Sequence, residues 1–145
     1  MESFGHSYAV AAPAAKIFAH LVRPESYIGL SPLVVAVRDV RHEGDKVSYV
    51  SVERFTFGPL KWDNPIKVTM TPAVPDRRLV SDVISPGRVR LTATVELVPI
   101  SSGTQVTETI EVSSPALLRG FVLGQARSVQ RARATELTRR MTAPA

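Results

Sequence analysis

The hydrophobic positions along this chain change period twice. Residues 4–10 alternate, with Phe4, His6, Tyr8 and Val10 on one side and Gly5, Ser7 and Ala9 on the other, a strand pattern. Pro13 suits the first turn of a helix, where its missing N–H is not needed, and Ile17, Phe18 and Leu21 follow at helical spacing. Pro24 opens a second short helix that runs through Tyr27 and Leu30 and stops near Pro32.

From Leu33 onward the period is two. Residues 34–41 are rich in β-branched side chains and end at the Glu43-Gly44-Asp45 turn. Residues 46–57 set Val47, Tyr49, Ser51, Glu53, Phe55 and Phe57 against Ser48, Val50, Val52, Arg54 and Thr56, and the pattern leaves open which set faces inward. Gly58-Pro59 turns the chain. In residues 61–71, Trp62, Asn64, Ile66, Val68 and Met70 oppose a polar set, and Pro65 inside that run demands an edge or a bulge. Pro72 to Pro75 is expected to end it. Residues 78–84, 88–98 and 104–112 complete the series; the second of these alternates most cleanly, with Val89, Leu91, Ala93, Val95 and Leu97 inward. Consecutive strands on short turns make an antiparallel meander, since parallel pairing would need long crossovers.

Ser114-Pro115 then opens a helix from about 115 to 141, with Ser114 as expected N-cap. Its inner stripe reads Leu118, Phe121, Val122, Gln125, Val129, Ala132 and Glu136. At 1.5 Å per residue it is roughly 40 Å long, enough to cross a sheet. Residues 142–145 are expected to fray. The order of elements predicts an α+β domain: a curved antiparallel sheet of about seven strands around one long C-terminal helix, with two short helices after the first strand and space between sheet and helix.

Composition bounds this picture. A chain of 145 residues fits one domain and needs no disulfide or metal to fold. The absence of cysteine excludes thiolate nucleophiles and Cys-based zinc sites. No apolar run approaches the ~20 residues of a membrane span, and the polar start MESFGHSY lacks a basic region, so a cytoplasmic protein is expected. The net charge of +5 raises nucleic acid as a partner. Against it, Arg119, Arg127, Arg131, Arg133, Arg139 and Arg140 scatter around the last helix with no interleaved aromatic, which reads as a solvated face or a contact for an acidic partner. No Gly-rich phosphate loop appears, so no nucleotide cofactor is indicated. His6, His20 and His42 are too dispersed for a metal site, and no Ser/His/Asp spacing forms a triad.

Three segments carry a resemblance. YAVAAPAAKIFAHLVRPESY, VSYVSVERFTFGPLKW and GTQVTETIEVSSPALLRGFV resemble the first strand with its Ala-Pro helix opening, the central strands, and the last strand entering the C-terminal helix of the START-like (Bet v 1-like, SRPBCC) superfamily, polyketide cyclase/dehydrase-type branch. The resemblance implies a helix-grip fold with a hydrophobic cavity. It also implies a lipid, sterol, quinone, polyketide or hormone as ligand, with cyclases and hydrolases a minority of members.

Polar residues on apolar faces are then the candidates for chemistry. Glu108 sits among Val106, Ile110 and Val112, and Glu53 shares a face with Tyr49 and Phe55. Candidate catalytic residues are Glu108, Glu53 and Tyr49; candidate ligand contacts are His6, Tyr8, Tyr49, Phe55, Trp62, Asn64, Leu91, Val95, Glu108, Leu118, Phe121, Val122 and Gln125. Either carboxylate could be a base in aldol cyclisation and dehydration, with Tyr49, Tyr8 or Arg54 as donor, or could be held by arginines or lie near a wet mouth. Gly120 and Gly124 soften the start of the last helix, as a gate or for close packing on the sheet, and Leu117 with Leu123 leaves a dimer contact or a membrane touch open. Three functions follow: a carrier or sensor of a small hydrophobic molecule, a cyclase or dehydratase, and an interaction module using the arginine-bearing helix.

Overall fold

The computed structural model describes residues 2–142, apart from the side chain of Phe57. Seven strands form one antiparallel sheet: β1 (Glu2–Val10), β2 (Val34–Glu43), β3 (Lys46–Phe57), β4 (Leu60–Val74), β5 (Arg78–Ser85), β6 (Val89–Ile100) and β7 (Gly103–Ser113). Their order in space is β1-β7-β6-β5-β4-β3-β2, so all neighbours from β2 to β7 are sequence-consecutive hairpins and β1 returns beside β7. The connection from β1 to β2 carries α1 (Ala14–Leu21) and a 3-10 turn at Pro24–Tyr27. The chain ends in α2 (Arg119–Thr142).

The alternation that announces the strands also bends them onto α2. Each strand puts its apolar set on one face, and that face closes over the helix because the ladder is interrupted at chosen points. Among the register shifts are one between Arg38 and Arg41, where Asp39 takes a positive φ of 55°, and one between Thr71 and Val74. Bulges of this kind bend a strand and tighten its twist. The second one explains why β4 continues through Pro72, which was expected to end it: the proline occupies the irregular stretch, where no ladder bond is required. Pro65 meets the same need differently. It pairs with Val52 of β3, but β5 pairs with β4 only from Lys67 onward, so Pro65 lies on a locally free edge.

One end of the interior is packed solid. Ile17, Phe18 and Leu21 of α1 meet Val10, Leu97, Val106, Leu79 and Met70 of the sheet and Leu137 and Met141 of α2. The buried Thr104 hydroxyl donates to the Ala12 carbonyl at 2.7 Å, and Gly103 lies against the backbone of Val10 and Ala11, where no side chain would fit. Arg140 ties the end of α2 to the connection before β2, donating to the Ser26 carbonyl at 2.6 Å and the Ile28 carbonyl at 3.0 Å.

Two local expectations are corrected. The second short helix is a four-residue 3-10 turn that stops at Tyr27, because Ile28 turns extended. Ser114 does not cap α2: the chain enters through a 3-10 turn at Ala116–Leu118 with Pro115 in the flanking position and no side-chain cap. Thr142 remains helical, its hydroxyl donating to the Thr138 carbonyl at 2.7 Å; the rest of the expected fraying at 143–145 lies outside the described residues.

Candidate functional site: a cavity between the sheet and the last helix

Beyond the packed end, the sheet and α2 separate around a cavity of about 390 Å³. That is within the range of small-molecule sites, about 300–1,000 Å³. The floor is the concave face of β3 to β7, and its alternation is decisive. Tyr49, Ser51, Glu53 and Phe55 of β3 line the space, and Arg54 instead pairs with Asp63 outside, at 2.8 Å. The question left open by the pattern of β3 is thus answered in favour of the Tyr49–Glu53 face. Trp62, Asn64, Ile66 and Val68 continue the wall on β4, and Leu91, Ala93 and Val95 on β6. Tyr8 reaches in from β1, and Glu108 and Ile110 from β7.

The roof is α2, but its inner stripe differs from the expected one. Leu118, Phe121, Val122, Gln125 and Val129 line the cavity as the spacing suggested, and the line then continues to Arg133 and Leu137, not to Ala132 and Glu136. Glu136 instead accepts from Arg139 and Arg140 on the outer side, which holds its carboxyl down at about 2. From Val129 a helix can reach its next inward position by three or four residues. An apolar-first reading takes Ala132; the protein takes Arg133, because its partner Glu108 is inside.

That pair is the electrostatic centre of the site. Glu108 is 7% exposed, and the Arg133 guanidinium donates to it at 2.5 Å and to the Ser31 hydroxyl at 3.0 Å. Burial works against the Arg133 charge, and the adjacent Glu108 carboxylate outweighs it, so the guanidinium pKa is raised. Gln130 locks the same place, donating to the Glu108 backbone carbonyl at 3.1 Å. Arg133, expected on a solvated helix face, is instead largely buried, and of the alternatives for Glu108 the structure shows the one in which an arginine holds it. Ser31 and Gln130 carry no sequence signal that marks them as part of the site.

Glu53 differs from Glu108. Among the described residues it has no hydrogen-bond or ion-pair partner, and burial pushes its pKa up, opposed in part by the field of Arg133. The Tyr8 and Tyr49 hydroxyls also have no partner among the described residues, yet no polar side-chain atom that is sealed from solvent lacks one. These three groups therefore open onto the cavity. Burial holds both phenols above their usual pKa, so they stay protonated donors at neutral pH. Tyr27 is already engaged, donating to the Leu21 carbonyl at 2.7 Å. Asn64 donates to Ser85 at 3.4 Å.

The other end of the cavity has an apolar rim. Trp62, 51% exposed, stacks on Phe55 at 5.6 Å between centroids; across the opening stand Phe121, 63% exposed, and Leu118. Leu118 approaches the β5–β6 turn at Gly87. Leu117 beside it is 98% exposed and makes no part of the wall. Gly120 and Gly124 do not serve close packing, since a Cβ at either would meet only open space.

Of the candidate ligand contacts, Tyr8, Tyr49, Phe55, Trp62, Asn64, Leu91, Val95, Glu108, Leu118, Phe121, Val122 and Gln125 are on the cavity wall, and His6 is not. His6 alternates onto the same side as Tyr8 and stacks on its ring at 5.5 Å, but it does not line the space. Among the described residues no three His, Asp or Glu side chains come together as a metal site, and no helix is long and apolar enough to cross a membrane.

A bent antiparallel sheet gripping one long helix around a hollow is the helix-grip architecture of SRPBCC-type proteins. The chain belongs to the family described as polyketide cyclase / dehydrase and lipid transport, whose model matches residues 1–143. No curated protein matches it. Among solved structures it is similar to TTHA0849 from Thermus thermophilus, with a TM-score of 0.74, 18% identity and 98% of each chain covered. It is also similar to the Zhui aromatase/cyclase from Streptomyces sp. R1128, with a TM-score of 0.74 and 16% identity over 98% of this chain and 96% of that one. A third is the di-domain aromatase/cyclase StfQ of the steffimycin biosynthetic pathway, with a TM-score of 0.76 and 10% identity over 96% of this chain and 49% of that one. At these identities the likeness is one of fold.

Proposed function

We propose that this protein binds a small hydrophobic molecule of lipid, polyketide or quinone type inside the cavity, as a carrier or sensor. The observation that carries the reading is a hollow of about 390 Å³ walled mainly by carbon, with the Tyr8, Tyr49 and Glu53 oxygens free to meet a guest. Burying a guest of that size gains the hydrophobic term at about 25 cal/mol per Å² of apolar surface, while the few oxygens fix its orientation. Native mass spectrometry of the purified protein, followed by extraction, tests it. A one-to-one adduct with an apolar compound is expected. Empty protein that also takes up none of a panel of alcohols, quinones and polycyclic phenols would overturn it.

A second reading is favoured by one specific feature, the unpaired Glu53 on the same inward face of β3 as the free Tyr49 phenol. A carboxylate in an apolar wall can remove an activated α-proton from a poly-keto chain while Tyr49 donates to the enolate oxygen. The enolate carbon then attacks a second carbonyl and the new alkoxide takes the proton back from Glu53; in the dehydration Glu53 removes the second α-proton and returns it to the departing hydroxyl, which leaves as water. The likeness to aromatase/cyclase structures supports this choice of reaction. Glu108 is the poorer base, being engaged by Arg133. Loss of cyclisation in Glu53→Gln with ligand uptake retained is the expected outcome; equal turnover in the variant would refute it.

A further inference from the structure

Among the described residues the charged groups that open on the cavity are three: Glu53 on β3, Glu108 on β7 and Arg133 on α2. The single cation is consumed, one nitrogen on Glu108 and another on Ser31. The remaining carboxylate has no counter-ion among the described residues. The other titratable groups on the wall, Tyr8, Tyr27 and Tyr49, are neutral phenols raised by burial. The net formal charge facing a guest is therefore zero with Glu53 protonated and −1 with it ionised. In neither state is a cation offered to an anion.

We infer that Glu53 acts as a charge filter: the cavity admits uncharged molecules bearing hydroxyl or carbonyl oxygens and rejects carboxylates and other anions of the same shape. This rests on the reading of the cavity as a ligand site and names the class of ligand. An anion brought into an apolar wall without a partner pays its desolvation unrelieved, and a neighbouring carboxylate adds repulsion. A carbonyl or hydroxyl guest instead meets complementary groups, since the two phenols donate and Glu53 accepts or donates with its protonation state. The basic surface does not reverse this, because among the described residues Arg133 is the only lysine or arginine on the cavity wall, and Arg54 and Arg139, for example, are paired outside with Asp63 and Glu136.

The test compares three probes with one ring system, 2-naphthol, 2-naphthoate and 2-naphthalenesulfonate, by calorimetry on the full chain. At neutral pH the wild type should bind naphthol at least roughly tenfold more tightly than naphthoate. Glu53→Gln, isosteric and uncharged, should narrow that gap by about threefold or more, through tighter naphthoate binding. A second measurement changes the charge on Glu53 in the wild type itself. The sulfonate stays anionic, so lowering the pH from about 8 into the ordinary carboxylate range, below the raised Glu53 value, should tighten its binding to the wild type as Glu53 takes a proton, and leave Glu53→Gln unchanged. Naphthoate binding as tightly as naphthol, or a naphthol-to-naphthoate ratio unmoved by Glu53→Gln, would overturn the filter and leave the cavity reading standing. Failure of all three probes to bind would sink both.

Discussion

Replacing Arg133 by methionine tests the site at its electrostatic centre. The substitution keeps an unbranched side chain under the roof of the cavity but strands Glu108, which is buried and loses its short ion pair, the one it makes among the described residues. Removing one partner of a buried pair costs about 3–5 kcal/mol, because the other charge stays desolvated. Glu108 also faces the cavity, where water can enter, so the lower figure applies here. For a chain of this size about 3 kcal/mol corresponds to a fall in Tm of roughly 10 °C. Urea unfolding should show a lower midpoint with an unchanged slope. The double replacement Glu108→Gln with Arg133→Met removes both charges and should recover most of the loss, leaving a coupling energy of about 2 kcal/mol or more in the cycle. A cost below about 1 kcal/mol for Arg133→Met, or no coupling, would refute the claim that this pair holds α2 to β7.

Other consequences follow from single residues. Burial raises the Glu53 pKa in the folded state above its unfolded value, so the folded protein binds that proton more tightly and loses stability as pH rises from the ordinary carboxylate range through the raised value. Glu53→Gln should therefore be more stable than wild type at neutral pH, with the advantage gone below the ordinary carboxylate range, as read from denaturant midpoints across pH. Gly103→Ala places a Cβ against the Val10 carbonyl at a φ of 143°, and should cost about 3 kcal/mol or more by thermal unfolding. Gly124→Ala meets nothing and should stabilise α2 by up to ~1 kcal/mol; a loss would show that the start of α2 needs its freedom.

The strands were legible because a half-buried sheet imposes strict alternation. Residues 46–57 were read to the residue, and most cavity contacts followed once β3 was faced correctly. Legibility ended where a polar residue is inside for a reason that lies elsewhere in the chain. Arg133 is inward because Glu108 is, a pairing across 25 positions that no local period encodes. Ser31 and Tyr27 sit in an irregular connection without a period, and their place on the wall comes from how α1 and Arg140 pin that segment. His6 misled for the opposite reason: it shares Tyr8's side by alternation, yet its ring stacks on Tyr8 and does not reach the wall.

The most direct measurement is a crystal structure of the protein grown with 2-naphthol. Density for the ring between α2 and the concave sheet, with its oxygen within hydrogen-bond reach of Tyr49, Tyr8 or Glu53, is the predicted result. Side chains meeting across that space, or the ring bound only on the outer surface, would contradict it.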